Sequence, residues 1–322
     1  MDKQILLIAP EFFNYYKLIQ AELERTGWKV TYLVDRPPCN ALVKIGIRKF
    51  RWLFNGYLNR YFQKNLKKLG RFDQVLIVKG EGITSSTIRS LRQKCSGRIQ
   101  LYLWDGVRNS PGALDLSKVV DHTSTFDSVD AKSYGWQLLP LFYVKSAIHE
   151  LPHQEFKFDC SFVGSDHGDR MKVIAKVRKQ IGGRFFAFVY FPSKIIFYYR
   201  KFFDSSFHEY GSSELSLKSI PKAQAEEIFK SSRAVLDIHH VAQNGLTMRT
   251  IESLALGKKL ITTNATIKDY PFYSEQDVCV VDRKTPSVRP EFFASEPTES
   301  LRVKMQAYEI REWVRRLVGE SA

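Results

Sequence analysis

The stretch from Val235 to Asn264 narrows most sharply what this chain can fold into. Val235 to Ile238 reads as a buried strand, a polar turn with Asn244 and Gly245 follows, and a short periodic segment closed by Gly257 leads into a second apolar run from Leu260. Glycine suits the position just past a helix because it takes the left-handed backbone without a Cβ clash. Strand, turn, helix and strand in that order describe a unit whose strands lie parallel and are covered on both faces. Similar apolar runs recur at Ile5 to Ala9, Val75 to Val78, Ile99 to Asp105, Phe158 to Ser165 and Asp277 to Asp282. Residues 5–34 make the same kind of β-α-β opening, with Gly27 ending the helix. The fold class expected is therefore α/β. At 322 residues the chain exceeds the usual size of one core, so two domains are expected.

Composition sets limits on partners. A hydrophobic fraction of 44% and an aromatic fraction of 13% suffice for packed cores. Lys and Arg number 49 against 34 Asp and Glu, a net charge of +15. Such a field favours polyanions: nucleic acid, anionic lipid head groups or phosphorylated substrates. The basic residues are spread over both halves rather than gathered on a recognisable reader, so no nucleic-acid partner is expected. Cys39, Cys95, Cys160 and Cys279 are scattered without metal-ligand spacing and read as reduced thiols of a cytoplasmic protein. The run Ile5 to Ala9 is too short for a signal-peptide core. No apolar run reaches the roughly 18 residues of a membrane span. Between Arg184 and Asp204 many aromatics are interleaved with Arg184, Lys194, Arg200 and Lys201. One reading is an element that meets the inner face of an anionic membrane. The other is a strand and amphipathic helix with aromatics in the core, which is favoured for Phe185 to Tyr190 and left open for the rest.

In open α/β sheets ligands sit beyond the carboxyl ends of strands, where helix N-termini offer N–H groups to anions. Gly245, Leu246 and Thr247 fall at such a helix start, and Arg249 and Glu252, three apart, share a helix face. A guanidinium and a carboxylate beside an anion-binding turn suit a nucleotide sugar, with phosphates to neutralise and hydroxyls to hold. Gly164 and Ser165 end another strand, with Arg170 soon after, and His239 and His240 stand at the mouth of the strand from Val235. The two histidines read equally well as a hydrogen-bonded strand-end pair. In the first half, Glu11, Asp105 and His122 lie at or near strand ends and are candidates to take a proton from a hydroxyl. The glycine-rich dinucleotide fingerprint, the P-loop and the zinc-binding His-Glu-x-x-His pattern are all missing from the sequence, which disfavours a dehydrogenase, a P-loop NTPase and that type of metal site.

Gly245, Arg249, Glu252 and Gly257, with Leu103-Trp104-Asp105 and the strand ending in Gly164-Ser165, resemble the GT-B glycosyltransferases, in particular the CgeB-like and surface-polysaccharide branch. The resemblance implies two Rossmann-like domains: residues 1–150 for the acceptor and 151–300 for the nucleotide sugar, the donor site facing the interdomain cleft. A helix over 301–322 is then expected to pack back toward the first domain. It implies transfer of a sugar from a nucleotide sugar to a glycan or lipid-linked acceptor in bacterial surface-polysaccharide (lipopolysaccharide or capsule) synthesis. Glu252 would hold the ribose, and the turn with Arg249 would serve the phosphates. Gly164, Ser165, Arg170, His240, Asn244, Gly245, Leu246 and Thr247 complete the expected donor side. Asp105, Glu11 or His122 would deprotonate the acceptor. No cofactor and no metal are expected, the nucleotide sugar being a co-substrate. Asn244 stands where the paired-glutamate retaining enzymes have a second acid, so inversion is favoured. The alternatives are a nucleotide-sugar epimerase of the same fold, or a non-enzymatic basic protein binding nucleic acid or membrane.

Overall fold

The computed structural model describes residues 3–40, 43, 46–47, 50–110, 112–145 and 156–319. The boundary expected between residues 150 and 151 lies outside these residues. The chain forms two compact units. The first takes the residues up to Leu141, the short piece Ala242–Gly245 and the chain from Ile310 onward; the second takes Phe142–Val241 and Leu246–Glu309. The first boundary thus falls earlier than the one read from the sequence, and the second unit lends four residues to the first.

The first unit is a parallel sheet of six strands: β1 (Lys3–Ala9), β2 (Trp28–Val34), β3 (Gln74–Val78), β4 (Ile99–Leu103), β5 (His122–Thr125) and β6 (Gln137–Leu138). The spatial order is β2-β1-β3-β4-β5-β6. Between the strands run α1 (Tyr15–Arg25), α2 (Arg51–Leu66), α3 (Ser85–Arg92), α4 (Ala113–Ser117) and α5 (Ser128–Tyr134). The continuous apolar runs occupy the middle of the sheet because both faces are covered: Ile5 to Ile8, Ile77 and Leu101 have essentially no exposed surface. The order reverses between β1 and β3, so the loops leaving their carboxyl ends diverge and open a crevice.

The second unit repeats this plan with β7 (Phe158–Ser165), β8 (Phe185–Tyr190), β9 (Leu215–Ser216), β10 (Ser232–Asp237), β11 (Lys259–Thr262) and β12 (Val278–Val280), in the order β12-β11-β10-β7-β8-β9, all parallel. Its helices are α6 (Arg170–Ile181), α7 (Lys194–Phe203), α8 (Lys222–Lys230), α9 (Met248–Ala255) and α10 (Glu299–Met305). The reversal here falls between β7 and β10. Phe162, Val189, Leu236 and Ile261 fill one core, while Ile251, Leu254, Leu260 and Phe272 fill another under α9 and α10. The expected packing of Phe185 to Tyr190 is observed in part, with Ala187 and Val189 buried and the phenyl rings half-buried.

Two expectations are corrected. The single helix expected over residues 301–322 is broken: α10 passes through a 3-10 turn at Gln306–Tyr308, and a new helix, α11 (Ile310–Val318), begins after Glu309. Glu309 bridges to Tyr143, and the amide of Tyr143 donates to the Tyr308 carbonyl at 3.0 Å. This extended bridge is incompatible with continuous helix. Only α11 therefore joins the first unit, burying Trp313, Val314 and Leu317, with Trp313 edge-on to Tyr102 at 4.7 Å. His122 is the second correction. It opens β5 rather than closing it, so it lies at the amino edge of the sheet, exposed and 2.9 Å from Gln137 Oε1.

Candidate functional site

In the second unit the crossover between β7 and β10 brings together residues far apart in sequence. Asp237, the last residue of β10, is fully buried. Its Oδ1 accepts Arg249 Nη1 at 2.8 Å, and its Oδ2 accepts the hydroxyls of Thr247 at 2.9 Å and Thr250 at 2.6 Å. Burial works against its charge, yet Arg249, the two hydroxyls and Arg170 outweigh burial and hold the carboxyl below its usual range. Thr247 also caps α9, its hydroxyl accepting the amide of Thr250 at 3.1 Å, while Leu246 is buried in the core beneath. The helix start and the charged pair are thus one construction. Asp237 fixes the cap and aims the arginine.

Arg249 extends from α9 to the carboxyl end of β7, where its guanidinium lies 5.3 Å from the Phe162 ring. Gly164 explains how it gets there: a Cβ at that position would stand 2.8 Å from Arg249 Nη2. The glycine of the Gly164-Ser165 turn therefore makes room for a side chain. Arg170 is occupied differently. It donates to the Ile238 carbonyl through Nε at 3.0 Å and Nη2 at 2.6 Å, and to the Ser165 carbonyl through Nη1 at 2.9 Å. Burial, then repulsion from Arg249, pushes it down to about 10. It is a cationic clasp joining the two central strand ends. Ser165 Oγ lies 3.1 Å from His167 Nε2, and the His167 ring stands edge-on to that of the exposed His240 at 6.0 Å.

Glu252, one turn beyond Arg249, is paired with Lys222 at the start of α8, with Nζ 2.8 Å from Oε1. Burial raises its carboxyl above the usual range, and Lys222 only partly opposes this. The raised value costs stability, a cost that sets in as pH rises above 4.5, is complete above the folded value, and disappears as pH falls. His239 behaves in the opposite sense. Burial and then Arg283 lower it from 6.5, with Nδ1 2.8 Å from Thr263 Oγ1. Its neutral form is the native one, so stability present above pH 6.5 should be lost as pH falls through its folded value. A thermal melt against pH should therefore slope less in His239→Gln than in the unaltered protein between those limits; identical slopes would remove His239 from the acid limb.

In the first unit, Asp105 lies two residues past β4, with Lys79 Nζ at 2.8 Å from Oδ2 and Gln243 Nε2 at 3.0 Å from Oδ1. Lys79 follows β3 directly and holds φ at 71°, while Asn14, beyond β1, holds φ at 58°. These are the two non-glycine residues with positive φ among the described residues. Such conformations cost on the order of 1 to 3 kcal/mol and persist where the surroundings over-determine them, often at functional sites. Both flank the strand-order reversal of this sheet. Glu11 is exposed on the same edge, two residues past β1. The rings of Phe12, Tyr15 and Trp104 form an aromatic wall there, with centroids 5.3 to 5.8 Å apart.

The turn before α9 is held differently from the expectation. Asn244 and Gly245 cluster with the first unit, where Asp127 Oδ2 accepts their amides at 2.8 and 3.2 Å. Asp127 Oδ1 meanwhile caps α5 through the amides of Val129 and Asp130. A Cβ on Gly245 would approach the Phe126 ring to 2.3 Å, so glycine is needed for packing. The Gly245 amide is committed to a carboxylate. Asp237, Asp127, Lys79 and Lys222 were not singled out from the sequence. Asp237 shared a visible signal with Asp105, an acid closing an apolar strand; the others had none.

No known protein family profile matches the chain, and no curated protein sequence does. Solved structures do. HepE from Anabaena, in complex with UDP and glucose, superposes with a TM-score of 0.64 over 98% of both chains at 8% identity. The chain has the GT-B fold. Other GT-B structures agree: a sucrose-phosphate synthase from Thermosynechococcus elongatus has a TM-score of 0.60 at 11% identity over 98% of both chains. A UDP-N-acetylglucosamine 2-epimerase described for Listeria monocytogenes has 0.55 at 9%, covering 99% of this chain and 95% of that one. In GT-B terms the buried Asp237, Arg249, Gly164 and the α9 cap belong to the second Rossmann-like unit, and Asp105, Lys79 and Glu11 to the first. Among the described residues no group of His, Cys, Asp and Glu could hold a metal ion, and no helix is long and apolar enough to cross a membrane.

Proposed function

We propose that the chain is a glycosyltransferase that moves a sugar from a nucleoside diphosphate sugar to a glycan or lipid-linked glycan in bacterial surface-polysaccharide synthesis. The observation that supports this reading best is Arg249, held by Asp237 over the end of β7 beside Gly164, in a fold shared with a protein solved with UDP and glucose. In the reaction proposed, an acceptor hydroxyl loses its proton to Asp105 as its oxygen bonds to the anomeric carbon. The bond from that carbon to the diphosphate breaks, and its electron pair leaves on the nucleotide. Arg249 and the first amides of α9 would stabilise that leaving charge. Glu252 would take the ribose hydroxyls. A single displacement inverts the anomeric centre, in keeping with Asn244 at the position of the second acid. The reading takes the transfer as metal-independent.

A thermal-shift panel of nucleoside diphosphates and their sugars tests the donor site, because a ligand that binds only the folded state raises stability by mass action. One base should stand out, and a flat panel would sink the proposal. The Glu252 to Lys222 pair sharpens it. Glu252→Ala should weaken donor binding by about tenfold or more, the loss of a charged hydrogen bond being worth ~1.5 to 3 kcal/mol. Lys222→Ala frees the same carboxylate and should leave binding equal or tighter. Equal weakening by both would make the pair structural. An epimerase is the second reading, favoured by the likeness to the Listeria protein. Conversion of nucleotide sugar without any acceptor, leaving the nucleotide attached, would decide for it.

A further inference from the structure

Helix α7 is built the wrong way round for a helix of a soluble surface. Ile195, Tyr199 and Phe202 recur at the spacing of one helix face, with Tyr198 and Phe203 beside them. That face points outward: Ile195 is 82% exposed, Tyr199 61%, Phe202 74% and Phe203 76%. No residue of the helix is buried. The inward side carries Phe197, packed edge-on to Phe191 and Phe207, and the charged Arg200. Arg200 is bound to Asp166 at 3.1 Å, to Asp204 at 2.5 Å and to the Gly168 carbonyl. A charge is turned in and tied down while a large apolar stripe is left to water, which marks an interaction surface.

The chemistry of the rim identifies the partner. Lys194 and Lys201 flank the stripe, α7 contains no acidic residue, and the chain carries +15. We propose that α7 is a membrane-surface anchor, its Ile195, Tyr199, Phe202 and Phe203 entering the head-group region of an anionic bilayer while Lys194 and Lys201 meet lipid phosphates. Arg200 also gives the anchor a mechanical link to the site of the same unit. Its partners Asp166 and Gly168 lie, with His167, in the loop between β7, which ends at Ser165, and α6, which opens at Arg170. The anchor thus sets the carboxyl edge of this sheet at the lipid surface. The inference stands independently of sugar transfer.

The test uses the full chain and sedimented vesicles of phosphatidylcholine, alone or mixed with phosphatidylglycerol. Binding should be at least about tenfold tighter to the anionic vesicles, the scale set by two basic side chains near such a surface. Ile195→Ser, Phe202→Ser and Phe203→Ser together should weaken it by at least about tenfold more, with the thermal midpoint unchanged. Lys194→Gln with Lys201→Gln should abolish the preference for anionic lipid. In a Phe202→Trp variant, indole emission should shift to the blue and be quenched by brominated lipid. The proposal is overturned by equal sedimentation of the triple serine variant, or by failure of the protein to bind either vesicle. It is also overturned by a dimer in lipid-free sedimentation velocity that the serine variant abolishes, since the stripe would then join two copies of the chain.

Discussion

Asp105→Asn is expected to lower turnover by about 10²- to 10⁴-fold, the range for a lost general base, while nucleotide-sugar affinity stays within experimental error. Asp105 is the base in the reaction proposed above. It ends beyond β4 with one oxygen on Lys79 and the other on Gln243, so its carboxylate is oriented before any acceptor arrives. Lys79 itself is held at φ 71°, and strain of that kind is maintained where position matters. Asparagine keeps the shape and the Gln243 contact but cannot take a proton. Single-turnover rates with saturating donor, beside calorimetric donor titrations, separate chemistry from binding. Unaltered turnover would clear Asp105 and move the search to Glu11 on the same edge. A fall in donor affinity instead would place Asp105 in binding.

The largest effect on stability is expected at Asp237. Asp237→Asn leaves Arg249 next to Arg170 without the fully buried carboxylate that offsets both. Breaking a buried pair from one side typically costs about 3 to 5 kcal/mol, because the remaining charge is left uncompensated. Urea unfolding should show that loss. Asp237→Asn with Arg249→Met should recover part of it, since removing both charges leaves neither exposed to the low-dielectric interior. The contribution should be complete above pH 3.8, the ordinary value of the group, and be lost as pH falls through the lower folded value. A loss under about 1 kcal/mol, below the usual cost of a broken buried pair, would show that Arg249 does not depend on Asp237.

The apolar runs were enough to place the central strands of both sheets, because a strand buried on two faces can tolerate little else. Helix ends marked by Gly257 and Gly27 were legible for an equally local reason: both hold positive φ. Arg249 was read as a donor-side cation, but its pairing was not legible, because Asp237 meets it only when β10 and α9 pack. The long C-terminal helix was misread since periodicity continues through the break, and only the bridge from Tyr143 to Glu309 interrupts it. His122 was misplaced because an isolated residue beside an apolar run does not reveal which end of the strand it occupies.

The sequence alone thus determined the α/β class, the local register of apolar faces and the residue types available at strand ends. Tertiary structure decided which strand ends meet. The two order reversals, between β1 and β3 and between β7 and β10, arise from pairing across long stretches of chain. The same holds for Gly164 beneath Arg249, Lys222 on Glu252 and Asp127 on the Gly245 amide. Local pattern reports whether a residue is buried, whereas a charged side chain takes its role from the partner that folding delivers to it.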